Sequence, residues 1–70
     1  MRISARNQLS AVVTSVSRGA SIANVELDVN GQRVVASITV EAVDDLGIIE
    51  GASVIAVIKA SDVMIATAGD

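Results

Sequence analysis

The 70-residue sequence predicts an all-β fold that contains one short helix. Runs in which apolar and polar residues alternate, with many β-branched side chains, are typical of half-buried antiparallel strands. After the third run the apolar spacing becomes helical, with Val40, Val43 and Leu46 on one face. Three strands, a helix and two strands are the element order of an OB-type five-stranded barrel, with the helix between strands 3 and 4. An SH3-like barrel is the alternative, but its binding groove would require aromatic residues, and this sequence has none.

Turn residues and alternation set the bounds of the strands. The first strand is long and is expected to carry a bulge near Val12 and Val13. Strands 2 and 3 form a hairpin, because Asn30 and Gly31 both tolerate the positive φ of a type I′ turn. The five predicted strands cover residues 8–17, 23–29, 32–38, 53–59 and 63–67.

The predicted helix is limited to about two turns by its end signals. Thr39 is suited to the N-cap position, and Gly47 to the left-handed residue that follows a helix. Asp44 and Asp45 lie near the C-terminal end, where the helix macrodipole disfavours negative charge. We therefore expect these two carboxylates to be solvated or to face a cation.

The length allows a single domain, residues 1–70, with a core that is marginal by itself. Without Cys or His the chain has neither disulfides nor a zinc site to stabilise it, so assembly is the remaining common route. Strand 4 supports assembly because Ile55 and Val57 make its second face apolar as well. We expect an obligate oligomer; the alternative is that the helix or the C-terminal segment covers this face.

Several function classes are disfavoured by composition. Zero aromatic content removes stacking platforms for nucleic acid, and the net charge of −3 repels phosphate backbones. No apolar run approaches the roughly 20 residues of a membrane span, and no signal-peptide core follows Met1 and Arg2, which predicts a cytoplasmic protein. Without His, Cys or paired carboxylates we expect no enzyme, and Asp44-Asp45 lacks the ligand spacing of a calcium loop.

Hydrogen-bond donors are concentrated in two short segments. Ser4 and Arg6 are two residues apart, as are Lys59 and Ser61, so each pair would project from one face of an extended segment. If the segments meet, their cations and hydroxyls form a cage of donors suited to an unprotonated oxyanion. The predicted oxyanion ligands, here called the donor cluster, are Ser4, Ala5, Arg6, Asn7, Lys59 and Ser61.

Simpler roles remain open for individual members of the cluster. Arg6 would commonly form a surface ion pair, with Glu26, Asp28 or Asp62 as its partner. Ser61 could belong to a turn, and Lys59 could be a solvated residue at a strand end.

Both segments resemble the molbindin (Mop) family. The resemblance is carried by Ser-Ala-Arg-Asn-Gln-Leu at 4–9 and Ala-Val-Ile-Lys-Ala-Ser-Asp-Val-Met-Ile at 56–65, and it extends to residues 36–40 and 46–47. It implies a small cytoplasmic protein with an OB-like fold that binds molybdate and tungstate. It also implies a homohexamer built from dimers, with oxyanions held at subunit interfaces, and a role in molybdenum storage or homeostasis.

The chain departs from the family pattern at two places. Members often carry Lys-Gly-Lys where this chain has Ser-Ala-Val at 10–12, which predicts a weaker positive field around the site. They also often have Asn where this chain has Ile22. A neighbouring subunit's contact to the anion, or a second class of site, is expected from Gly19, Ala20, Ser21 and Ile22.

Two function classes follow. The favoured one is a binding module for molybdate, with tungstate as a competing ligand. The alternative is a structural or regulatory oligomerisation module, in which the donor cluster pairs only with carboxylates. A rise in melting temperature with molybdate separates them, since only a specific binder is stabilised by its ligand.

Overall fold

The computed structural model describes residues 2–69. Its four strands form one antiparallel sheet in the order β3-β2-β1-β4. The long β1 therefore lies inside the sheet, while β3 and β4 are its two edges. The elements are β1 (Asn7–Arg18), β2 (Ile22–Val29), β3 (Gln32–Thr39), α1 (Val40–Leu46) and β4 (Ser53–Ile58), followed by a 3₁₀ turn (Ala60–Asp62).

The core lies between one face of the sheet and α1. Val43, the buried residue of the helix, is 1 % exposed. It packs with inward-facing side chains of the two central strands, which alternate with exposed ones as the sequence pattern predicted. The buried core residues are Ala11, Val13, Ala23, Val25, Leu27 and Val43.

The bulge predicted near Val12 and Val13 lies at Thr14, one residue further along β1. Pairing with β2 shifts its register between Val13 and Ser15. Before the bulge the buried positions of β1 are odd-numbered, whereas after it Val16 packs on the core. The bulge thus keeps the apolar side of β1 inward along both halves of the strand.

The β2–β3 hairpin confirms the predicted turn. Asn30 and Gly31 connect the strands with φ values of 50° and 86°, as a type I′ turn requires. Since this turn also fixes the register, Val29 pairs with Gln32.

Helix α1 begins and ends at the predicted residues. The Thr39 hydroxyl accepts a hydrogen bond from the Ala42 N–H at 3.0 Å, and Gly47 adopts φ 62°. Asp44 has the partner cation expected for it, because Arg18 donates to its carboxylate at 2.7 Å. Asp45 is exposed, as also expected.

The predicted fifth strand is not formed. Residues 63–67 pair with no strand, and the Met64 and Ile65 side chains are each 93 % exposed. A strand needs a partner edge, and residues 63–67, which follow the 3₁₀ turn, are exposed and make no ladder with either sheet edge of their own chain. The structure is therefore a mostly antiparallel sheet with one short helix, and the closed five-stranded barrel is not confirmed.

Strand β4 has two apolar faces, as predicted. Its inward side chains are half-buried, whereas Ile55 and Val57 are 52 % and 48 % exposed on the outer face.

Along residues 2–69, α1 is too short to cross a membrane, and no other helix has the length and apolarity to do so.

Candidate oxyanion-binding site

Pairing of β1 with β4 brings the two donor segments together. Asn7 is the first residue of β1 and lies opposite Ile58, the last residue of β4. Lys59 continues in an extended conformation, with φ −62° and ψ 134°. Arg6 immediately precedes Asn7 and Lys59 immediately follows Ile58, so the two donor segments begin at the same end of this ladder. The fold therefore brings the segments to one end of the sheet, while the meeting of their donor groups stays a prediction.

The second donor segment, which contains Lys59 and Ser61, is a turn rather than a strand end. Predicted strand 4 included Lys59, but β4 ends at Ile58, one residue earlier. The Asp62 N–H donates to the Lys59 carbonyl at 2.9 Å, which closes the 3₁₀ turn around Ser61. Alternation along a strand therefore does not relate Lys59 to Ser61, and the simpler description of Ser61 as a turn residue is correct for its backbone.

The polar members of the donor cluster are largely open to solvent. Ser4, Arg6, Lys59 and Ser61 are exposed, whereas Asn7 is half-buried. Ala5 is also half-buried, and its carbonyl accepts a hydrogen bond from Gln8 Nε2 at 3.3 Å. The sheet therefore fixes the backbone of this region while leaving the donor groups free to meet a ligand.

The nearby cations are not engaged by carboxylates within residues 2–69. The ion pairs in this range join Arg18 to Asp44 and Arg33 to Glu26, and neither includes Arg6 or Lys59. Glu26, one expected partner of Arg6, is held instead by Arg33. The surface ion pair that was the simpler role for Arg6 is thus absent from this part of the chain.

The Glu26 cluster was not anticipated from the sequence. Its carboxylate accepts hydrogen bonds from Arg33 and, at 2.8 Å, from the Ser15 hydroxyl. The Arg33 bond, followed by the Ser15 bond and the charge of Arg33, holds the pKa of Glu26 below its usual value. The hairpin register was the available signal, because it pairs Asp28 with Arg33 and so sets Arg33 diagonally from Glu26.

The loop of residues 19–21 lies at the other end of β1. Eleven steps separate Asn7 from Arg18, which amounts to roughly 35 Å of strand. The loop is tight, since the Gly19 N–H donates to the Ile22 carbonyl at 2.8 Å. A Cβ on Gly19 would approach that oxygen to 2.8 Å. One chain therefore does not bring Gly19–Ile22 to the donor cluster, and a combined site would need a second subunit.

The surroundings of this loop are acidic. Ala20 and Ser21 border a shallow depression whose other side is formed by the start of α1. Glu41, Asp44 and Asp45 line it, and Arg18, the nearby cation, is paired with Asp44. This charge pattern does not favour a second anion site within a single chain.

No group of three or more His, Cys, Asp or Glu side chains suited to a metal cation occurs among residues 2–69.

Comparison with known proteins identifies the family of this chain. The TOBE domain model matches residues 3–65. Molybdenum-pterin-binding protein 3 of Clostridium pasteurianum is 46 % identical over 66 residues, covering 93 % of this chain and 97 % of that protein. A molybdate-binding protein from Sporomusa ovata superposes with a TM-score of 0.92 at 36 % identity, over 96 % of this chain and 100 % of that one.

A further solved structure contains the ligand. The cytoplasmic molybdate-binding protein ModG, solved with molybdate bound, superposes with a TM-score of 0.86 at 45 % identity. The match covers 91 % of this chain and 46 % of ModG. These matches confirm the resemblance carried by residues 4–9 and 56–65, and the chain belongs to the TOBE-domain family as a molbindin (Mop).

Proposed function

We propose that this protein binds molybdate, with tungstate as a competing ligand, and serves its intracellular storage or homeostasis in the cytoplasm. The observation that carries the proposal is the β1–β4 register, which pairs Asn7 with Ile58 and so supports a meeting of the Arg6 and Lys59 segments. The names of the relatives support the ligand, because they include proteins described as molybdate-binding and one with molybdate bound.

The chemistry of the donor cluster fits a tetrahedral dianion. Molybdate offers only acceptors, so its cage needs only donors. The Arg6 guanidinium can donate to two oxygens at once, while the Lys59 ammonium acts as a compact charge. Ser4 and Ser61 hydroxyls rotate to suit the remaining oxygens, and the backbone N–H of Ala5 and the Asn7 amide are further donors. Charge-assisted bonds contribute about 1.5–3 kcal/mol each, so a few of them offset the loss of freedom of a small ion.

The exposure of these donors supports a site shared between subunits. A ligand held at one open surface keeps most of its water, and its charge interactions stay weak in the high dielectric. A second copy placed over the cluster would exclude that water. The Gly19–Ile22 loop of a neighbour is the proposed covering segment, since within one chain it lies far from the cluster.

The same second copy would complete the barrel. Segment 63–67 is apolar and unpaired, and β3 and β4 are both open edges. An apolar groove runs between these edges along the inner face of the sheet, lined by Val34, Ile38, Val54 and Ala56 among others. We propose that the fifth strand of the OB-type barrel forms in the assembly, where segment 63–67 finds a partner edge. The hexamer built from dimers is the assembly that the family resemblance implies.

Selectivity would follow from the same cage. Near neutral pH, phosphate carries a proton that needs an acceptor, whereas the charged members of the cluster, Arg6 and Lys59, are donors only. Sulfate is unprotonated but smaller, so donors spaced for molybdate would be too far from its oxygens. Tungstate has nearly the size of molybdate and should compete with it.

Calorimetric titration at fixed ionic strength tests the proposal. Wild-type protein should bind molybdate more tightly than sulfate or phosphate, and Arg6→Ala should weaken binding strongly. Arg2→Ala is the matched control, because it removes the same charge from an exposed position near the same chain end. Equal affinity for all three anions, or unchanged molybdate affinity in Arg6→Ala, would show that the proposed site is wrong.

Thermal melting separates binding from the alternative function. Millimolar molybdate should raise the melting temperature of a specific binder according to RT ln(1 + [L]/Kd). A melting temperature that does not move, in a protein that still assembles, would favour the oligomerisation module.

A further inference from the structure

One carboxylate lies within a single turn of the proposed ligands. Asp62 ends the 3₁₀ turn, and its N–H donates to the Lys59 carbonyl at 2.9 Å. A hydrogen bond between residues i and i+3 brings their Cα atoms within about 7 Å. Asp62 is therefore tied by the backbone to Lys59 and is the direct neighbour of Ser61.

The position of this carboxylate is set by the turn rather than by a partner side chain. Asp62 is exposed, and the ion pairs among residues 2–69 do not include it. It is the third residue after Lys59, the N-cap of the turn, and no side-chain hydrogen bond caps that turn, so the backbone alone keeps Asp62 within one turn of Lys59. A negative charge is thus held close to a site proposed to receive a doubly charged anion.

We propose that Asp62 is a specificity-determining residue that selects among oxyanions by their charge. This inference rests on the proposed function, since it concerns the same site. Asp62 touches no ligand oxygen; it acts through space by repelling the bound anion. Because the repulsion is proportional to ligand charge, it disfavours dianions twice as much as monoanions of the same shape. The affinity for molybdate is therefore held below the value that the donor groups alone would give.

The size of the effect follows from Coulomb's law. Asp62 is exposed, so its charge acts on the ion largely through solvent; at a distance of about 8 Å and about 10 mM salt, removal of the negative charge should tighten dianion binding about fourfold and monoanion binding about twofold. At about 0.5 M salt the screening length falls to about 4 Å, and both gains should shrink to about 1.2-fold. A lost hydrogen bond or an altered turn would show neither the charge dependence nor the salt dependence.

The test compares Asp62→Asn with wild type by calorimetric titration. The two probes are molybdate and perrhenate, a tetrahedral monoanion of similar size. Molybdate is titrated at low and at high salt. If perrhenate binds too weakly to measure, the salt dependence of molybdate binding is sufficient to test the role of Asp62. Circular dichroism and the mass in solution verify that the variant keeps its fold and assembly.

Asp28→Asn is the matched control. It makes the same substitution at an exposed position opposite Val12, five residues along β1 from Asn7 and hence roughly 17 Å from the cluster. At low salt its molybdate affinity should change by only about 1.6-fold, against about fourfold for Asp62→Asn, because the screened Coulomb energy at about 17 Å is roughly a third of that at about 8 Å; at high salt it should stay at the wild-type value.

The outcomes separate this inference from the proposed function. If wild type binds no molybdate, the proposed function itself fails. If wild type binds but Asp62→Asn behaves like Asp28→Asn, the role of Asp62 is wrong while the site stands. A gain that persists at high salt, or that is equal for the two anions, would likewise overturn selection by charge.

Discussion

Replacing Val57 with Lys should dissociate the proposed assembly without unfolding the chain. Val57 and Ile55 lie on the outer face of β4, and Val12 of β1 is diagonal to Ile55 in the ladder. The three side chains are 48 %, 52 % and 44 % exposed, so about half of each is still in water. They form a continuous apolar patch on a sheet that has nothing to cover it in a single chain.

The magnitude follows from this exposure. Full burial of an aliphatic side chain is worth about 1.5–3 kcal/mol, so burying the remaining half of three side chains on each of two subunits contributes about 4–9 kcal/mol. An unpaired charge buried in the same contact costs about 3 kcal/mol or more, which weakens association at least about 100-fold. In the separated chain the same Lys is half-exposed and should change the free energy of unfolding by only about 0.5 kcal/mol.

Sedimentation velocity at micromolar concentration measures the assembly, and far-UV circular dichroism verifies the fold. Val35→Lys is the matched control on the opposite edge strand. Val35 is also about half-exposed, at 46 %, but its cross-strand neighbour is Glu26, which can pair with the new ammonium. Val35→Lys should keep the mass of wild type. Unchanged mass in folded Val57→Lys would exclude this face as an interface, and a folded wild-type monomer would refute obligate assembly.

Three further predictions concern the site and the fold. Arg6→Lys should lose molybdate affinity in calorimetry although the charge is kept, because one ammonium cannot donate to two oxygens as the guanidinium does. Lys59→Ala should lose more molybdate affinity than Ser61→Ala, and a larger loss in Ser61→Ala would contradict the assigned roles. Thr39→Ala should remove the N-cap bond, lower stability by about 1 kcal/mol and lower the melting temperature by about 4–8 °C, unless the helix end finds another acceptor. Folding lowers the pKa of Glu26. The Glu26 carboxylate therefore stabilises the fold at pH values above about 4.3, the ordinary pKa of Glu, and this contribution is lost as the pH falls through the lowered pKa. Melting temperatures of Glu26→Gln should therefore fall less steeply than those of wild type below about pH 4, and parallel curves would count against the assignment.

Elements with local signals were predictable from the sequence. The hairpin at Asn30-Gly31 and the helix between Thr39 and Gly47 are each specified by residues within a few positions of one another. Their backbone requirements are steric and do not depend on the rest of the chain. The bulge was placed within two residues for the same reason, since it must reconcile two apolar stretches of β1.

The fifth strand was not predictable in this way. The β-branched residues Val63, Ile65 and Thr67 indicate a segment able to pair, but pairing also needs an edge within reach. The 3₁₀ turn at Ala60–Asp62 comes directly before that segment, and the composition of its three residues does not specify which edge the segment could meet. A sequence pattern thus predicts that a segment can form a strand. The edge with which that segment pairs depends on the tertiary structure and can belong to another copy of the chain.

The donor cluster shows the same difference between local sequence signals, which are predictable, and tertiary geometry, which is not. Residue types together with the family resemblance predicted Ser4, Arg6, Lys59 and Ser61 as ligands, but whether their segments meet depends on the register of β1 against β4, which spans about fifty residues of chain. Their exposure then has an energetic consequence. An ion bound to solvated donors gains little, so tight binding requires the burial that a second subunit supplies. A ligand that binds only the assembled form must stabilise that form by RT ln(1 + [L]/Kd), and assembly must tighten binding by the same free energy. Oxyanion binding and oligomerisation are therefore linked equilibria in this proposal, and each shifts the other by the same coupling free energy.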